Sequence, residues 1–262
     1  MSSTFQKFKG LHANAELLLL PNAWDARSAI AFQECGFPAV ATSSAAVANS
    51  LGYDDGEKMS FQDYLFVIRR MLSSINIPLT VDIETGYGNN DDEIANNVLN
   101  LADLGVAGIN IEDSKINGSE RSLKDPIIFA RTIDHIRKRL RSKGLELFIN
   151  IRCDSYLLNV DNKQQETIGR LRIYNQSGAD GIFVPFLSNE QDIEEVVSTS
   201  NLPLNVMCVP GLPDFDSLNR LGVKRVTMGP FMFQRIYSEI STLTKAIVSN
   251  RTFSALLTQP AY

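Results

Sequence analysis

Cysteine and histidine are scarce in this chain, and their scarcity excludes several kinds of site. The 262 residues include three cysteines, Cys35, Cys153 and Cys208, and two histidines, His12 and His135. The cysteines lie far apart and show neither a CxxC motif nor a Cys/His spacing. Neither a disulfide framework nor a zinc site is therefore predicted.

Long apolar runs are also missing. No run approaches the roughly 18 apolar residues of a membrane-spanning helix. The N-terminal stretch MSSTFQKFKGLHANAELLLL has too short an apolar run for a signal peptide. We therefore expect a cytoplasmic protein that has no membrane partner.

Basic residues are too few and too scattered to form a nucleic-acid surface. The net charge is −5, whereas nucleic acids and anionic membranes both require a basic face. The one basic cluster, RKRLRSK at residues 137–143, falls on a predicted helix, where we expect it to form a solvated face. The sequence therefore predicts no nucleic-acid partner.

The chain does have a regular alternation of strand-like and helix-like segments. The predicted strands are residues 17–21, 39–43, 79–84, 108–113, 147–152, 181–185, 204–209 and 225–229. Strands that are apolar on both faces and alternate with helices indicate a parallel sheet covered by helices. Eight such units predict an α/β fold, a closed (β/α)₈ or TIM barrel. The first strand is followed by PNAWDARSA and not by a GxGxxG turn, which disfavours a dinucleotide-binding sheet.

The domain organisation predicted from the sequence is simple. No linker or low-complexity segment divides the chain, so we predict one barrel domain over residues 1–262. Residues from about 235 to 262 form an amphipathic C-terminal helical region that is longer than one barrel helix requires. We expect this region to reach a partner subunit.

The stretch PLTVDIETGYGNN, residues 78–90, carries two acids at the end of a predicted strand. Residues two apart in a strand point the same way, so Asp82 and Glu84 are expected to face one space. Glu112 ends the next strand and should join them, because the carboxyl ends of barrel strands meet at the active site. Three carboxylates with no His or Cys nearby predict a hard cation such as Mg²⁺. The alternative is a salt-bridge network with Arg152 as counter-ion.

Polar residues at two other strand ends indicate an anion site. The planar guanidinium of Arg152 suits a carboxylate or a phosphate, although pairing with Asp154 or Glu112 is the alternative. Ser43 and Ser44 can present hydroxyl and backbone N–H groups to an anion, and turn chemistry explains them equally well. No predicted strand ends in Lys and no His lies near a Ser or Cys at a strand end. A Schiff-base aldolase and a nucleophilic triad are therefore disfavoured.

Several motifs in a fixed order carry a family resemblance: PNAWDARSA, TSSAAVANSLGYDDGE, VDIETGYG, GINIEDS and INIRCDSYL. Together they resemble the isocitrate lyase and phosphoenolpyruvate mutase superfamily, in particular its short phosphonomutase-like branch, which includes the carboxyvinyl-carboxyphosphonate phosphorylmutase-like proteins. The resemblance implies a (β/α)₈ barrel and bound Mg²⁺, with Mn²⁺ as an alternative. It also implies homodimers or homotetramers in which the last helix is exchanged between subunits.

The resemblance also implies a role for individual residues. The implied metal ligands are Asp82, Glu84 and Glu112. The implied contacts to a substrate carboxylate are Ser43, the backbone N–H groups of Ser44 and Ala45, and Arg152 as the cationic clamp. The implied catalytic residues are Arg152 and Asp55, the second acid of GYDDGE, with Asp54 as its rival.

These roles imply a Mg²⁺-dependent lyase or mutase that acts on a small 2-oxo acid or phosphono acid through a pyruvate enolate. The lyases of the superfamily carry a Lys-x-Cys-Gly-His loop after the fourth strand, whereas this chain has SKINGSERSLKDP at residues 114–126. A typical isocitrate or methylisocitrate lyase is therefore not expected, and the polar loop is predicted to be a mobile lid. The alternatives are an oxaloacetate-type C–C hydrolase and a carboxylate-binding barrel without catalysis.

Overall fold

The computed structural model describes residues 3–118 and 120–257. Within these residues the strands are β1 (Leu18–Leu20), β2 (Asn22–Ala23), β3 (Val40–Thr42), β4 (Leu79–Asp82), β5 (Gly108–Glu112), β6 (Ser114–Asn117), β7 (Glu120–Leu123), β8 (Phe148–Arg152), β9 (Gly181–Phe183), β10 (Leu204–Met207) and β11 (Arg225–Thr227). The helices are α1 (Thr4–Ala13), α2 (Ala26–Glu34), α3 (Ser44–Ser50), α4 (Phe61–Leu72), α5 (Asp91–Asp103), α6 (Pro126–Ser142), α7 (Lys163–Tyr174), α8 (Glu190–Thr199), α9 (Phe215–Arg220), α10 (Phe231–Asn250) and α11 (Ser254–Leu257).

The parallel sheet contains nine of these strands in the order β1-β11-β10-β9-β8-β5-β4-β3-β2. β1 and β2 stand at opposite ends of this order, yet they are two halves of one extended segment that is interrupted only at Pro21. In the first half Leu18 lies opposite Arg225 of β11, and in the second half Ala23 lies opposite Thr42 of β3. The segment therefore brings the two edges of the sheet together, and the predicted (β/α)₈ barrel is confirmed.

The first predicted strand is present, but it is split. The sequence predicts one strand over residues 17–21, whereas the structure has two short strands with different partners. Proline has no N–H group to donate to a strand ladder. The carbonyl of Pro21 accepts a hydrogen bond from the N–H of Ala41 (2.8 Å), which begins the pairing with β3. The segment therefore changes its partner strand at Pro21, whose backbone nitrogen cannot donate a hydrogen bond.

The third predicted strand ends earlier than expected. The prediction runs to residue 84, whereas β4 ends at Asp82. Glu84 has a φ of +50°, a left-handed conformation that is incompatible with an extended strand. The two-residue alternation that relates Asp82 to Glu84 in the prediction therefore does not hold at Glu84.

Residues 114–126, the predicted lid, contain an antiparallel hairpin made of β6 and β7. Lys115 lies opposite Ser122, and Ile116 lies opposite Arg121. Residue 119 of this segment lies outside the described residues. The side chain of Ile116 lies beside Gly56, so the hairpin contacts the loop that follows α3. The mobility of the segment stays a prediction.

The barrel strands separate an apolar outer face from a polar interior. In β5, Ile109 and Ile111 are buried in the core between the strands and the helices. Asn110, between them in sequence, accepts a hydrogen bond on Oδ1 from Nδ2 of Asn150 in β8 (2.9 Å). Arg225 of β11 reaches the same oxygen (3.4 Å from its Nη2 atom). The middle of the barrel is therefore polar and contains a buried cation.

Helix α1 covers the N-terminal end of the barrel. Phe8 meets Phe148 edge to face, with 5.4 Å between the ring centroids, and His12 stacks on the same ring at 4.3 Å. Phe8 and Phe148 belong to a second apolar cluster together with Leu20 and Ala107. This end of the barrel is closed by aromatic packing, so an opening into the barrel interior is expected at the other end.

The C-terminal region is packed differently from the barrel helices. Helix α10 spans 20 residues, and Phe233 is its one buried residue among those described. Ile236, Tyr237 and Ile240 are 41%, 48% and 51% exposed. The predicted helical region at 235–262 corresponds to most of α10 and to α11, and its last five residues lie outside the described residues. No helix in the described part of the chain is long and apolar enough to cross a membrane.

Candidate active site

A cavity of about 440 Å³ lies at the carboxyl ends of the barrel strands. Its polar lining consists of Asn22, Ser43, Ser44, Asp55, Asp82, Asn110, Arg152, Thr227 and Gln234. Its other residues are Ala45, Leu157, Phe183, Pro185, Phe186, Met207, Pro210, Gly229, Pro230 and Phe231. The structure therefore brings most of the predicted site residues into one cavity, whereas Glu84 and Glu112 lie beside it. The lining thus combines three charged residues, Asp55, Asp82 and Arg152, with a larger number of apolar ones.

Asp82 is the last residue of β4, and only one of its two carboxylate oxygens has a hydrogen-bond partner among the described residues. Its Oδ2 atom accepts a hydrogen bond from the hydroxyl of Ser44 (3.1 Å) and lies 3.8 Å from Nη1 of Arg152. Its Oδ1 atom is buried and has no hydrogen-bond partner among the described residues. Burial and the charge of Asp55 raise the pKa of Asp82 above its ordinary value, against the opposing effect of Arg152. A buried, unpaired carboxylate oxygen is costly unless a proton or a cation joins it.

Glu84 does not line the cavity, and its carboxylate lies between the loops that follow α3 and β4. Its carboxylate accepts hydrogen bonds from the backbone N–H of Glu57 (3.0 Å) and from the hydroxyl of Tyr87 (3.0 Å). Burial, together with the charges of Asp55 and Asp82, raises the pKa of Glu84 to about 7. The carboxyl group of Glu84 therefore titrates close to neutral pH, and unlike Asp82 it does not line the cavity.

Glu57 is a residue that the sequence did not single out. Its Oε1 atom accepts hydrogen bonds from the backbone N–H groups of Thr85 (3.0 Å) and Tyr87 (2.9 Å) and from the hydroxyl of Thr85 (2.7 Å). These contacts join the loop after α3 to the loop after β4. Because Glu84 lies between the two loops, Glu57 helps to hold it in its left-handed conformation.

Arg152 ends β8 and is already paired with acids. Its Nε atom donates to Oδ1 of Asp154 (2.6 Å), and its Nη1 atom lies 2.9 Å from Oε2 of Glu112. Burial by itself lowers the pKa of the guanidinium, but the charges of Asp154 and Asp82 outweigh it, so the pKa lies above its ordinary value. Arg152 is thus a permanent cation, fixed between acids while it lines the cavity.

Arg121 of the β6–β7 hairpin is a second cation in the acid cluster, and the sequence reasoning missed it. Its guanidinium forms an ion pair with Glu112 and lies 3.5 Å from Oδ2 of Asp154 and 3.9 Å from Oε2 of Glu84. Ser114 links the same acids, because its hydroxyl lies within hydrogen-bonding distance of both Glu112 (3.1 Å) and Asp154 (2.7 Å). The only sequence signal for Arg121 is a single basic residue in a polar loop, which does not reveal where its side chain lies.

The acid cluster and its two arginines together leave an excess of negative charge. The carboxylates are Asp82, Glu84, Glu112 and Asp154, and the guanidinium groups are Arg121 and Arg152. Fully ionised, four carboxylates and two guanidinium groups carry a net charge of −2. The salt-bridge network that the sequence left as an alternative is therefore present, and it does not neutralise the acids.

The residues present fit a hydrated divalent cation. No group of three His, Cys, Asp or Glu side chains in the described ranges is arranged to hold a metal ion. Mg²⁺, however, usually keeps several waters and binds through only one or two carboxylates. The unpartnered Oδ1 atom of Asp82, the all-oxygen donor set and the excess charge all agree with such an ion. The ligand roles of Asp82, Glu84 and Glu112 stay predictions.

The predicted carboxylate contacts lie where β3 passes into α3. The hydroxyl of Ser43 accepts a hydrogen bond from the N–H of Ala46 (3.3 Å) and so caps α3. Turn chemistry, the alternative left open by the sequence, thus accounts for the Ser43 side chain. The segment from Ser43 to Ala45 nevertheless lines the cavity next to Asp82 and Arg152.

Asp55 lies at the edge of the cavity. It is exposed, and it belongs to the cavity lining. The neighbouring Asp54, the rival for the same role, is also exposed and is not among the described residues of that lining. The structure therefore distinguishes the two acids by position, and the catalytic role of Asp55 stays a prediction.

Asp113 supports the cluster from behind. Its carboxylate accepts hydrogen bonds from the backbone N–H of Asp154 (2.9 Å), from Arg170 (3.0 Å) and from the hydroxyl of Tyr174 (2.7 Å). Asp113 and Arg170 are both buried. The side chains of the adjacent acids thus lie on opposite sides of the sheet: Glu112 contacts the acid cluster, and Asp113 contacts α7.

The comparisons with known proteins agree with this geometry. The family model described as phosphoenolpyruvate phosphomutase matches residues 8–248. The chain belongs to this family. The fold and the superfamily predicted from the sequence motifs are therefore both confirmed, and the enzymes of this superfamily include mutases and lyases.

Three proteins illustrate the similarity. The uncharacterized protein Rv1998c of Mycobacterium tuberculosis is 38% identical over 222 residues, which cover 85% of this chain and 81% of that protein. An oxaloacetate decarboxylase of Pseudomonas entomophila is 26% identical over 227 residues, 85% of this chain and 77% of that enzyme. The crystal structure of a Burkholderia cenocepacia protein provisionally assigned as a phosphonomutase has a TM-score of 0.87 and 32% identity, and the match covers 92% of this chain and 97% of the other.

Proposed function

We propose that the protein is a Mg²⁺- or Mn²⁺-dependent lyase that acts on a small 2-oxo acid and cleaves the bond between the carbon α to the carbonyl and its β substituent, with oxaloacetate-like dicarboxylates as the substrate class. One observation carries the proposal: the unpartnered Oδ1 atom of Asp82 belongs to a residue that shares a cavity with Arg152 and the Ser43–Ala45 segment. A carboxylate that can bind a cation, next to groups that can bind an anion, suits a 2-oxo acid, because such a substrate carries a carbonyl and a carboxylate on adjacent carbons.

The proposed cation site centres on Asp82. Asp82 would hold the ion directly, and Glu84 and Glu112 would contribute through water. When bound, the ion supplies a Lewis acid for the negative charge that develops on the substrate. Arg121 and Arg152 hold Glu112 from two sides, which fixes that carboxylate before any substrate arrives.

The chain's own residues bind and orient the substrate in this proposal. The backbone N–H groups of Ser44 and Ala45, with Arg152, bind the carboxylate next to the carbonyl. In an oxaloacetate-like substrate the C3–C4 bond breaks, its electron pair forms the enolate of pyruvate, and C4 leaves as carbon dioxide. The enolate then takes a proton at C3, and Asp55 at the cavity edge positions the water that delivers it. Arg152 stabilises the developing negative charge.

A C–C bond is favoured over a C–P bond by the charge of the cavity. Arg152 is the one cationic side chain among the described residues that line it. A phosphono group carries up to two negative charges and is usually bound by several cationic or N–H donors, whereas a second carboxylate carries only one charge. The similarity to oxaloacetate decarboxylases supports the same choice. Cleavage of isocitrate by the usual route is not proposed, since residues 114–126 contain no Cys or His.

A homodimer or homotetramer built through α10 is part of the proposal. Phe231, Ile236, Tyr237 and Ile240 are 36–51% exposed on one helix, and such an apolar stretch on a long helix marks an interface. Phe231 also lines the active-site cavity, so a second subunit that covers α10 would lie close to the site. The exchange of this helix between subunits stays a prediction, and sedimentation analysis with Ile240→Glu would test the interface.

A substrate screen with pyruvate detection tests the function. Oxaloacetate, phosphonopyruvate and 2-methylisocitrate are each incubated with the protein, with and without Mg²⁺. Because oxaloacetate loses carbon dioxide spontaneously, the same mixture without protein serves as the blank. We expect Mg²⁺-dependent pyruvate from oxaloacetate and a loss of about a thousandfold in Asp82→Ala. Oxalate and acetate among the products would instead identify the hydrolytic alternative.

Matched acids at the cavity edge provide the control. Asp55→Asn should lower turnover by at least about tenfold, whereas Asp54→Asn should leave it unchanged because Asp54 does not line the cavity. Unchanged turnover in both Asp82→Ala and Arg152→Ala would contradict the assigned site. Calorimetric binding of oxalate with Mg²⁺, without turnover of any 2-oxo acid, would favour a carboxylate-binding barrel.

A further inference from the structure

A second cavity lies at the opposite, N-terminal end of the barrel. Its volume is about 420 Å³, close to that of the active-site cavity and far above the roughly 30 Å³ that one water occupies. Lys9, His12 and Lys224 supply its basic groups, and Val197, Leu202 and Leu204 supply much of its apolar wall. None of these residues belongs to the lining of the active-site cavity. This end of a barrel ordinarily serves stability, so a cavity of this size calls for an explanation.

His12 lines this cavity in a fixed tautomer, and its Nε2 atom has no hydrogen-bond partner among the described residues. Its Nδ1 atom lies 3.0 Å from the carbonyl oxygen of Phe8, and a carbonyl can only accept, so Nδ1 carries the proton. The Nε2 atom is then an acceptor, and it is buried with no hydrogen-bond partner among the residues described. Burial and the nearby charge of Arg225 lower the pKa of His12 to about 3. The ring therefore stays neutral at physiological pH, and a ligand must offer it an N–H or O–H group.

The two lysines make the same cavity cationic. Lys9 lies three residues before His12 on α1, so both side chains occupy one face of the helix. The Nζ atom of Lys9 is 3.7 Å from Asp180, and that of Lys224 is 3.5 Å from the carbonyl oxygen of Asn14. Both contacts are long, so the ammonium groups keep donors for another partner. Asp180 also lines the cavity and is shared with Arg137 through an ion pair, so Lys9, Lys224, Arg137 and Asp180 together carry a net charge of +2.

We propose that this cavity is a second binding site, for a small organic anion that also carries a hydroxyl group. The anionic group lies between Lys9 and Lys224, and the hydroxyl donates to Nε2 of His12. The apolar wall made by Val197, Leu202 and Leu204 contacts the carbon chain. The ligand is either a phosphate ester or a hydroxycarboxylate, since both provide this combination of groups.

Methyl-resolved NMR of the full chain tests the proposal. Methyl signals of Val197, Leu202 and Leu204 report on this cavity, whereas the methyl of Met207 reports on the active-site cavity. The probes are glycerol 3-phosphate and glycerate, with inorganic phosphate and glycerol as partial ligands. We expect the three reporters to shift and saturate with glycerol 3-phosphate or glycerate while Met207 is unaffected. The more tightly bound of the two identifies the anionic group.

Substitutions separate the two parts of the recognition. His12→Phe keeps the stacking on Phe148, and we expect it to weaken binding of the full probe about threefold to tenfold while binding of inorganic phosphate is unchanged. Lys9→Gln combined with Lys224→Gln should weaken both, and this variant keeps the test valid if His12→Phe fails to fold. Lys245→Gln, an exposed lysine on α10, is the control and should change nothing. No shift of the three reporters, or equal binding in all variants, would overturn the proposal.

Discussion

Two arginines lie inside the barrel, Arg152 half-buried at its mouth and Arg225 buried in its interior, and their surroundings are opposite. Arg152 at the end of β8 lies near Asp154, Glu112 and Asp82. Arg225 at the start of β11 has no carboxylate partner among the described residues, and its Nε and Nη1 atoms are left without hydrogen bonds there. The pKa of Arg152 lies above its ordinary value, whereas burial lowers that of Arg225 to about 9 despite the attraction of Asp82. The barrel thus concentrates its acids at the mouth.

The difference between Arg152 and Arg225 distinguishes a charge that is placed for function from a buried charge that lowers the free energy of unfolding. At the mouth each cation touches several acids, and each acid touches a cation or the cavity. In the interior the guanidinium of Arg225 has the face of Phe8 at 5.9 Å and one amide oxygen at 3.4 Å. A buried charge without a partner is a net cost to folding. Changing the two arginines separately therefore tests whether the mouth is arranged for function.

Removing the mouth cation should have the largest effect. Arg152→Gln leaves the buried carboxylate of Asp154 without its closest cation and leaves Glu112 with Arg121 alone, and we expect a loss of about 3–5 kcal/mol in the free energy of unfolding. Turnover of oxaloacetate should fall at least about a hundredfold. Urea unfolding and the pyruvate assay measure the two effects. Arg152→Lys, which retains the charge, should recover more stability than activity, and equal recovery of both would argue against a bidentate role.

The titration of Glu84 should give the next largest effect. Its pKa is about 7 in the folded protein and about 4.3 in an unfolded chain, so the folded state binds the proton more tightly. The stabilisation is complete below the unfolded pKa and is lost as the pH rises through 7. Without divalent cations we expect the free energy of unfolding to fall by about 2–3 kcal/mol between pH 4.5 and pH 8.

Glu84→Gln provides the control for that pH dependence. Gln keeps the shape of the side chain and cannot ionise, so the fall should be largely removed in this variant. Mg²⁺ should restore stability to the wild-type protein above pH 7 if the acid cluster holds the ion. A wild-type profile that is flat over this range would show that Glu84 is not buried as described.

Removing the interior cation should have a smaller effect of the opposite sign. Arg225→Met replaces an unpaired guanidinium with an apolar chain of similar length, and we expect the free energy of unfolding to rise by about 1–2 kcal/mol. Because Arg225 does not line the active-site cavity, turnover should change little. A loss of stability would show that Arg225 has a polar partner, such as bound water, which the side-chain contacts alone do not reveal.

The smallest expected effect concerns the charge balance of the mouth. Arg121→Gln removes one cation beside Glu112 and leaves Arg152 in place, so the excess negative charge rises. Two charges about 4 Å apart at a protein surface interact by up to about 4 kcal/mol before screening. Because only a fraction of this energy affects ion binding, we expect Mg²⁺ or Mn²⁺ to bind the variant about tenfold more tightly, as measured by calorimetry. Arg131→Gln on α6 is the control. Equal affinities in the three proteins would exclude Arg121 as a competitor of the ion.

The sequence predicted the barrel well because its evidence was repeated along the chain. Each strand contributes its own apolar run, and Gly or turn residues mark the end of the helix that follows it. An error in the bounds of one unit therefore does not change the predicted number of strand–helix units. The split at Pro21 was missed because two partners for one strand depend on closure of the whole sheet. Pairing of Leu18 with Arg225 is a long-range contact that no local pattern encodes.

The site was predicted less completely, for local reasons. The alternation rule places Asp82 and Glu84 on one face only while the backbone stays extended, and the φ of +50° at Glu84 ends that condition. The hydrogen bonds that Glu57 accepts from the loop after β4 support this conformation, and they join residues far apart in sequence. Arg121 was missed because the orientation of a hairpin depends on tertiary packing rather than on its own residues.

The closure of the barrel through β1 has a consequence for biosynthesis. Leu18–Leu20 is translated about 200 residues before its partner β11, Arg225–Thr227. Until the ribosome has added β11, β1 presents an unpaired edge next to the apolar residues of the nascent core. Such edges favour association with other chains. The nascent polypeptide is therefore exposed to aggregation until β11 has emerged, and a chaperone that shields β1 during elongation should raise the yield of folded protein.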